Sequence, residues 1–168
     1  MNERAGRSYK KIEKFDLVRL ANLAKEDLKD LFTWKPLLGN LFEDRVLCIT
    51  LCQGAALHYL NVKNGIKDFD VWTFFREHPQ KPFPYRRNKA WDFGDPRFGK
   101  TQGKEGFIGR RVDILGRSIK YEKKDDSIDA LRRYLSTAST ETARRLAQKA
   151  VILLSPHDKI GNVVWPMK

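Results

Sequence analysis

The stretch KDFDVWTFF, residues 67–75, places two carboxylates, Asp68 and Asp70, in a segment whose aromatic and β-branched content predicts a strand. Side chains on a strand alternate between faces, so Asp68 and Asp70 share one face, which Trp72 and Phe74 continue. Carboxylates held side by side resist ionising together unless a cation lies between them, so the pair is costly in a purely structural role. RRVDILG, residues 110–116, repeats the pattern: Arg111, Asp113 and Leu115 fall on one face, and a third acid interrupts a second apolar strand. Two acids on one strand and one on a neighbour can converge on divalent ions about 3.5–4 Å apart, which activate an attacking oxygen and steady a leaving phosphate. The competing reading is structural. Asp68 and Asp70 would cap a strand end and pair with Lys67 or Arg110, and Asp113 with Arg111, in surface pairs worth little. Arg111 then faces either a triphosphate or solvent.

The elements that must position these acids follow from periodicity and punctuation. Residues 1–13 are polar and basic and read as a frayed tail. From Lys14 to Trp34 apolar residues recur at helical spacing, giving one or two amphipathic helices, and Pro36, Gly39 and Asn40 break the pattern. RVLCITLC reads as a buried strand, QGAALHYLNV as a tight turn at Gly54 and a short helix, and Asn64-Gly65 as its stop. Residues 76–109 show no obvious element and form a basic insertion. Beyond Gly116, SIDALRRYLS and STETARRLAQKAVILL read as two helices, and IGNVVW as a closing strand. The expected fold is α/β of the α+β kind: a small mixed sheet flanked by N-terminal and C-terminal helices. Residues 14–120 form the core, and residues 121–168 a helical segment packed on it.

CQGAALHYL, then DFDVW, then RVDIL together resemble the signature of the polymerase-β-like nucleotidyltransferase superfamily: a small-residue turn after a strand, an acid-x-acid strand, and a later third acid. The match spans roughly residues 45–116. The resemblance implies a sheet of nucleotidyltransferase type. It implies that Gly54 and Ala55 present backbone N–H groups to a nucleoside triphosphate at a helix N-terminus, in keeping with anion binding there. It implies that Asp68, Asp70 and Asp113 hold Mg2+ or Mn2+, with Asp113 helping to deprotonate the attacking hydroxyl. Many members carry Gly-Ser or Gly-Gly in the turn; with Ala55 here, the serine contact to phosphate is missing. The Ala56-Leu57 continuation is similar to the branch containing abortive-infection toxins, which implies a toxin–antitoxin setting and an antitoxin-like protein partner. The expected activity is metal-dependent transfer of a nucleoside monophosphate, ATP being one candidate donor, to a hydroxyl on RNA, a protein or a small molecule. An inactive nucleotide- or RNA-binding module of the same fold and a metal-dependent nuclease are the alternatives.

GDPRFGKT, residues 94–101, matches a phosphate-loop pattern letter for letter, with Lys100 as its lysine. The pattern needs a buried strand before it and a helix after it, whereas KAWDF is short and polar and QGKEGFIG is broken by glycine. Lys100 is instead expected to touch phosphate from a basic loop. Around it, Tyr85, Arg86, Arg87, Lys89, Trp91, Arg97 and Phe98 interleave aromatics and cations as single-stranded nucleic-acid surfaces do. The other reading is a solvated loop whose aromatics tuck onto the core.

A net charge of +12 over 168 residues suggests a surface that attracts polyanions, with nucleic acid or phosphorylated small molecules the first candidates. The two cysteines, Cys48 and Cys52, share a face of one predicted strand and lie too far apart to bridge, so they read as free core thiols. Three scattered histidines show no zinc spacing with them. No apolar run approaches the about 18 residues of a membrane span and no apolar signal core opens the chain, which makes a cytoplasmic protein without a membrane partner the expectation.

Overall fold

The computed structural model describes residues 6–84, 89–101 and 103–167. Helix α1, Lys14–Trp34, carries Leu17, Leu20, Ala21, Ala24 and Leu31 as a buried stripe, and its start is fixed by the Glu13 N–H donating to the Asp16 carboxylate at 2.7 Å. Lys35 ends it, because Pro36 opens α2, Pro36–Phe42, and lacks the donor that would continue the first helix. Strand β1, Val46–Cys52, passes without a loop into α3, Gln53–Asn61. Then follow β2, Phe69–Arg76; β3, Ala90–Asp92; β4, Arg111–Ile119; α4, Ser127–Thr137; α5, Glu141–Leu146; β5, Val151–Ser155; and β6, Val163–Trp165.

The strands form one mixed sheet in the order β3-β4-β2-β1-β5-β6. Only β2 and β4 run parallel; the other neighbouring pairs are antiparallel. Ile49, Leu51, Phe69, Val71, Val112 and Ile152 face α1 and α3 in the larger apolar cluster. The opposite face carries Cys48, Cys52, Trp72, Phe74, Val151 and Leu153 against Leu131, Leu135 and Leu146 of α4 and α5. The expected α/β fold, a mixed sheet flanked by N-terminal and C-terminal helices, is the fold observed.

Four local expectations give way. The helix expected through AQKAVILL stops at Leu146, and Val151–Ser155 is a strand beside β1. Its four apolar residues are all buried because both faces of this inner strand are covered, so the run lacks the alternation that marks a half-exposed strand. Gly116 does not end the third strand. The Phe83 ring lies against the position a Cβ at 116 would take and stacks on Phe75 at 4.0 Å, so the glycine admits an aromatic ring over a strand that continues to Ile119. Residues 6–13 are not frayed: Ser8 bridges Ile66, Ile12 is buried, and the Lys10 carbonyl meets His58 Nε2 at 2.9 Å.

The insertion, finally, is docked. The indole of Trp91 donates to Asp27 at 2.8 Å, Arg97 pairs with the buried Asp16, and Arg19 donates to the Phe93 carbonyl at 3.2 Å, so α1 grips the segment at three points. Phe93 and Phe98 are buried in the main cluster, which is the tucked-aromatic alternative. Tyr85, Arg86 and Arg87 lie outside the described residues.

Candidate active site

Strand register sets the site. Asp70 of β2 is the direct neighbour of Asp113 on the parallel strand β4, so both side chains leave the same face, about 4.8 Å apart at the backbone. The same row runs on from Asp70 to Cys52 of β1 and to Val151 of β5, and from Asp113 outward to Ala90 of β3. Asp68 lies two residues before Asp70, and all three carboxylates line a cleft of about 600 Å³. The expectation that Asp68 and Asp70 share a strand face gives way in part, because β2 begins at Phe69 and Asp68 lies just ahead of it, although all three acids line the one cleft.

Each acid is held differently. The Thr101 hydroxyl donates to Asp68 Oδ1 at 2.8 Å and accepts the Arg111 N–H at 2.8 Å, so one side chain ties the end of the acid-x-acid segment to the first residue of β4. Arg111 Nε donates to Asp113 Oδ1 at 2.7 Å, as the structural reading of that acid anticipated. Asp70, between them, has no hydrogen-bond donor among the described residues. Burial, then the charges of Asp113 and Asp68, push its carboxyl up to about 6, with Lys149 and Arg111 pulling the other way. Burial is the larger cause, and the two neighbouring acids add the repulsion that the sequence pattern implied.

At the other side of Asp70 the chain turns from β1 into α3 through Gln53, which takes a left-handed φ of 62° so that no loop intervenes. Gln53, Gly54 and Ala55, the first turn of α3, line the cleft, and the helix has no side-chain cap on its leading N–H groups. A Cβ on Gly54 would stand 3.0 Å from Asn64 Nδ2 and 3.9 Å from Lys149 Nζ; its absence lets Asn64 donate to the Gly54 carbonyl at 2.9 Å and brings Lys149 over the turn. Gly54, Ala55 and Arg111 are thus gathered with the acids. Lys100 is exposed and outside the cleft's lining, and its charge acts on Asp92. The phosphate-loop match dissolves in the same place: GDPRFGKT folds as a three-residue 3-10 turn, Pro96–Phe98, capped by Asp95.

Among the described residues, seven cationic residues line the cleft, Arg7, Lys67, Lys89, Lys104, Arg111, Arg145 and Lys149. Sequence reasoning singled out Lys67, Lys89 and Arg111 of these, Lys67 only as a structural partner for the acids. Lys149 was hidden inside the expected helix, and Arg7 inside the expected tail. Thr101 stood only as the final letter of a rejected motif, and nothing local marks a hydroxyl as a bridge between two distant strands.

Among the described residues no group of three or more His, Cys, Asp or Glu side chains stands close enough to hold a metal ion as placed. The donor chemistry nonetheless fits a hard cation: three carboxylates and no soft ligand line the site, and Asp70 accepts no hydrogen bond among the described residues. Thr101 and Arg111 each engage one oxygen, Oδ1, of Asp68 and Asp113, which leaves the second oxygen of each carboxylate as the donor a cation would use. Cys48 and Cys52, buried beneath, are no part of this; burial pushes the Cys48 thiol up to about 12 and that of Cys52 higher still. No protein-family model, curated protein or solved structure matches the chain. No helix among the described residues is long and apolar enough to cross a membrane.

Proposed function

We propose that the protein is a nucleotidyltransferase that moves a nucleoside monophosphate from a nucleoside triphosphate to a hydroxyl acceptor. The observation carrying this reading is the row in which Asp113 and Asp70 sit side by side on parallel strands, with the uncapped first turn of α3 next along the sheet. The acceptor oxygen attacks the α-phosphorus and forms a new P–O bond, the bond from that phosphorus to the oxygen bridging to the β-phosphate breaks, and pyrophosphate leaves. Asp113 takes the hydroxyl proton. The N–H groups of Gln53, Gly54 and Ala55, with Lys149 above them, receive the β- and γ-phosphates, where backbone dipoles and a point charge both favour anions. Mg2+ or Mn2+ on Asp68, Asp70 and Asp113 would supply neutralisation of the phosphate charge that builds in the transition state. Arg111, released from Asp113, remains in reach of the same phosphates.

Incubation with each labelled triphosphate, MgCl2 and total RNA tests the reading. Label transferred to RNA or protein is the expected result, and Asp70→Asn should abolish it in a chain whose circular dichroism is unchanged. RNA shortened without label would make the acids a nuclease centre, and retention of the triphosphate without transfer would leave a binding module.

A further inference from the structure

The N-terminal arm, residues 6–13, is fixed on both sides of Arg7 and delivers that side chain to the cleft. Before it, the Gly6 carbonyl accepts from Arg110 Nη1 at 2.6 Å. After it, Ser8 and Ile66 exchange backbone hydrogen bonds of 3.0 and 2.7 Å, the Tyr9 ring packs on Gly65, and the Lys10 carbonyl meets the buried His58. Gly65 takes a left-handed φ of 81°, and a side chain there would collide with Tyr9 and with the stem of Arg7, so the glycine is what lets the arm lie this close.

Half-buried Arg7 lines the cleft and donates through Nη1 to the Asn64 carbonyl at 3.2 Å. Asn64 in turn donates to the Gly54 carbonyl at 2.9 Å, so a single side chain separates the guanidinium from the first turn of α3. A guanidinium carries five N–H donors, and among the described residues this one makes no ion pair. Three of the cleft's other cations are already engaged: Arg111 by Asp113, Lys89 by Asp30 of α1, and Arg145 by Glu141 at 3.6 Å. Lys149 also reaches the turn, and its charge acts on Asp70. It therefore serves the phosphates nearest the acids. Arg7, anchored at Asn64, is left for phosphate further along the turn.

We propose that Arg7 binds the terminal phosphate of the donor, so that the N-terminal arm belongs to the nucleotide site and selects a triphosphate over a diphosphate. The inference rests on the transferase reading for where the phosphates lie. A terminal phosphate presents three unbridged oxygens and the most charge, and a guanidinium fork matches two of those oxygens at once. A diphosphate with its α-phosphate at the acids ends short of that fork. Binding and docking are then reciprocal: triphosphate holds the arm down, and a docked arm tightens the hold on triphosphate.

The test compares ATP with ADP by calorimetric titration of the full chain in MgCl2, for the native protein, Arg7→Ala and Arg7→Lys. Arg7→Ala should weaken ATP about ten- to a hundredfold, the worth of hydrogen bonds to a charged group, and leave ADP within about twofold, so that the native preference for ATP disappears. Arg7→Lys should recover part of that preference, and it covers the case in which alanine undocks the arm. In hydrogen exchange, ATP should slow the Ser8 and Ile66 amides of the native protein while ADP does not, and Arg7→Ala should respond to neither. Equal losses for both nucleotides would reduce Arg7 to a brace for Asn64 and overturn the inference. So would an Arg7→Ala chain that keeps its ATP affinity, or a native chain that binds ATP and ADP alike. A native chain that binds neither nucleotide overturns this inference and the transferase reading together. If the preference depends on Arg7 but no label is ever transferred, the transferase reading fails and the clamp stands.

Discussion

Asp70 concentrates the chemistry of the site into one titration. Its carboxyl is pushed from 3.8 to about 6 by burial and by two neighbouring acids, so the folded state holds a proton that the unfolded chain has already released between those values. Stability rises with pH only where the unfolded state binds more protons; here the folded state does, so this group erodes stability as pH climbs from about 4 through about 6. The full difference corresponds to roughly 2–3 kcal/mol at neutral pH. Asp70→Asn should therefore melt higher than the native chain at pH 7.5, without metal, and lose that advantage near pH 4, while transfer is abolished at both. A native chain whose melting temperature is matched by the variant at every pH would remove the charge crowding from the account. Thr101 makes a complementary case, because its hydroxyl both donates to Asp68 and accepts from the Arg111 N–H. Thr101→Val severs both contacts, and a hydrogen bond to a charged group is worth about 1.5–3 kcal/mol, so turnover should fall roughly ten- to a hundredfold. Thr101→Ser should restore it. The loss should appear in kcat rather than in the KM for triphosphate, since Thr101 orients an acid and touches no part of the α3 turn.

At the scale of elements, one of the three contacts that dock the insertion on α1 is a buried ion pair. Asp16 is 1% exposed in its side chain and Arg97 is 25% exposed, and together they fasten the 3-10 turn to the start of α1. Removing one partner strands the other charge, so Arg97→Met should cost about 3–5 kcal/mol in urea unfolding, and Asp16→Asn added to it should return part of that loss. A purely additive pair would show that the contact carries no stability. The same pair explains what could be read in the chain beforehand. The acid strands were legible because alternation of two is a local rule, and β2 and β4 put Asp70 and Asp113 where the rule places them. The insertion was not, because Asp16 and Asp27 look like ordinary polar-face residues of a helix until Arg97 and Trp91, far along the chain, arrive to use them. Val151–Ser155 was misread for a related reason: a short apolar run buried on both faces has no period to betray it.

For the molecule as a whole, a net charge of +12 sets the response of stability to salt. A chain so charged repels itself, and screening relieves the repulsion, so raising NaCl from about 10 to 150 mM, which shortens the Debye length from about 30 to 8 Å, should raise its melting temperature. The acid cleft adds a separate term, since there the local repulsion is between carboxylates and only an ion seated among them relieves it. Any ligand that binds the folded state alone stabilises it by about 2.7 kcal/mol at a hundred times its dissociation constant. For a chain of this length that corresponds to roughly 5–10 °C. MgCl2 compared with NaCl at equal ionic strength should therefore give an extra increment in the native chain. Asp70→Asn and Asp113→Asn should respond to ionic strength alone, because each lacks a carboxylate of the set while keeping the surface charge that screening acts on. Equal increments in all three proteins would place Mg2+ on the general surface and leave the three acids without a metal to hold.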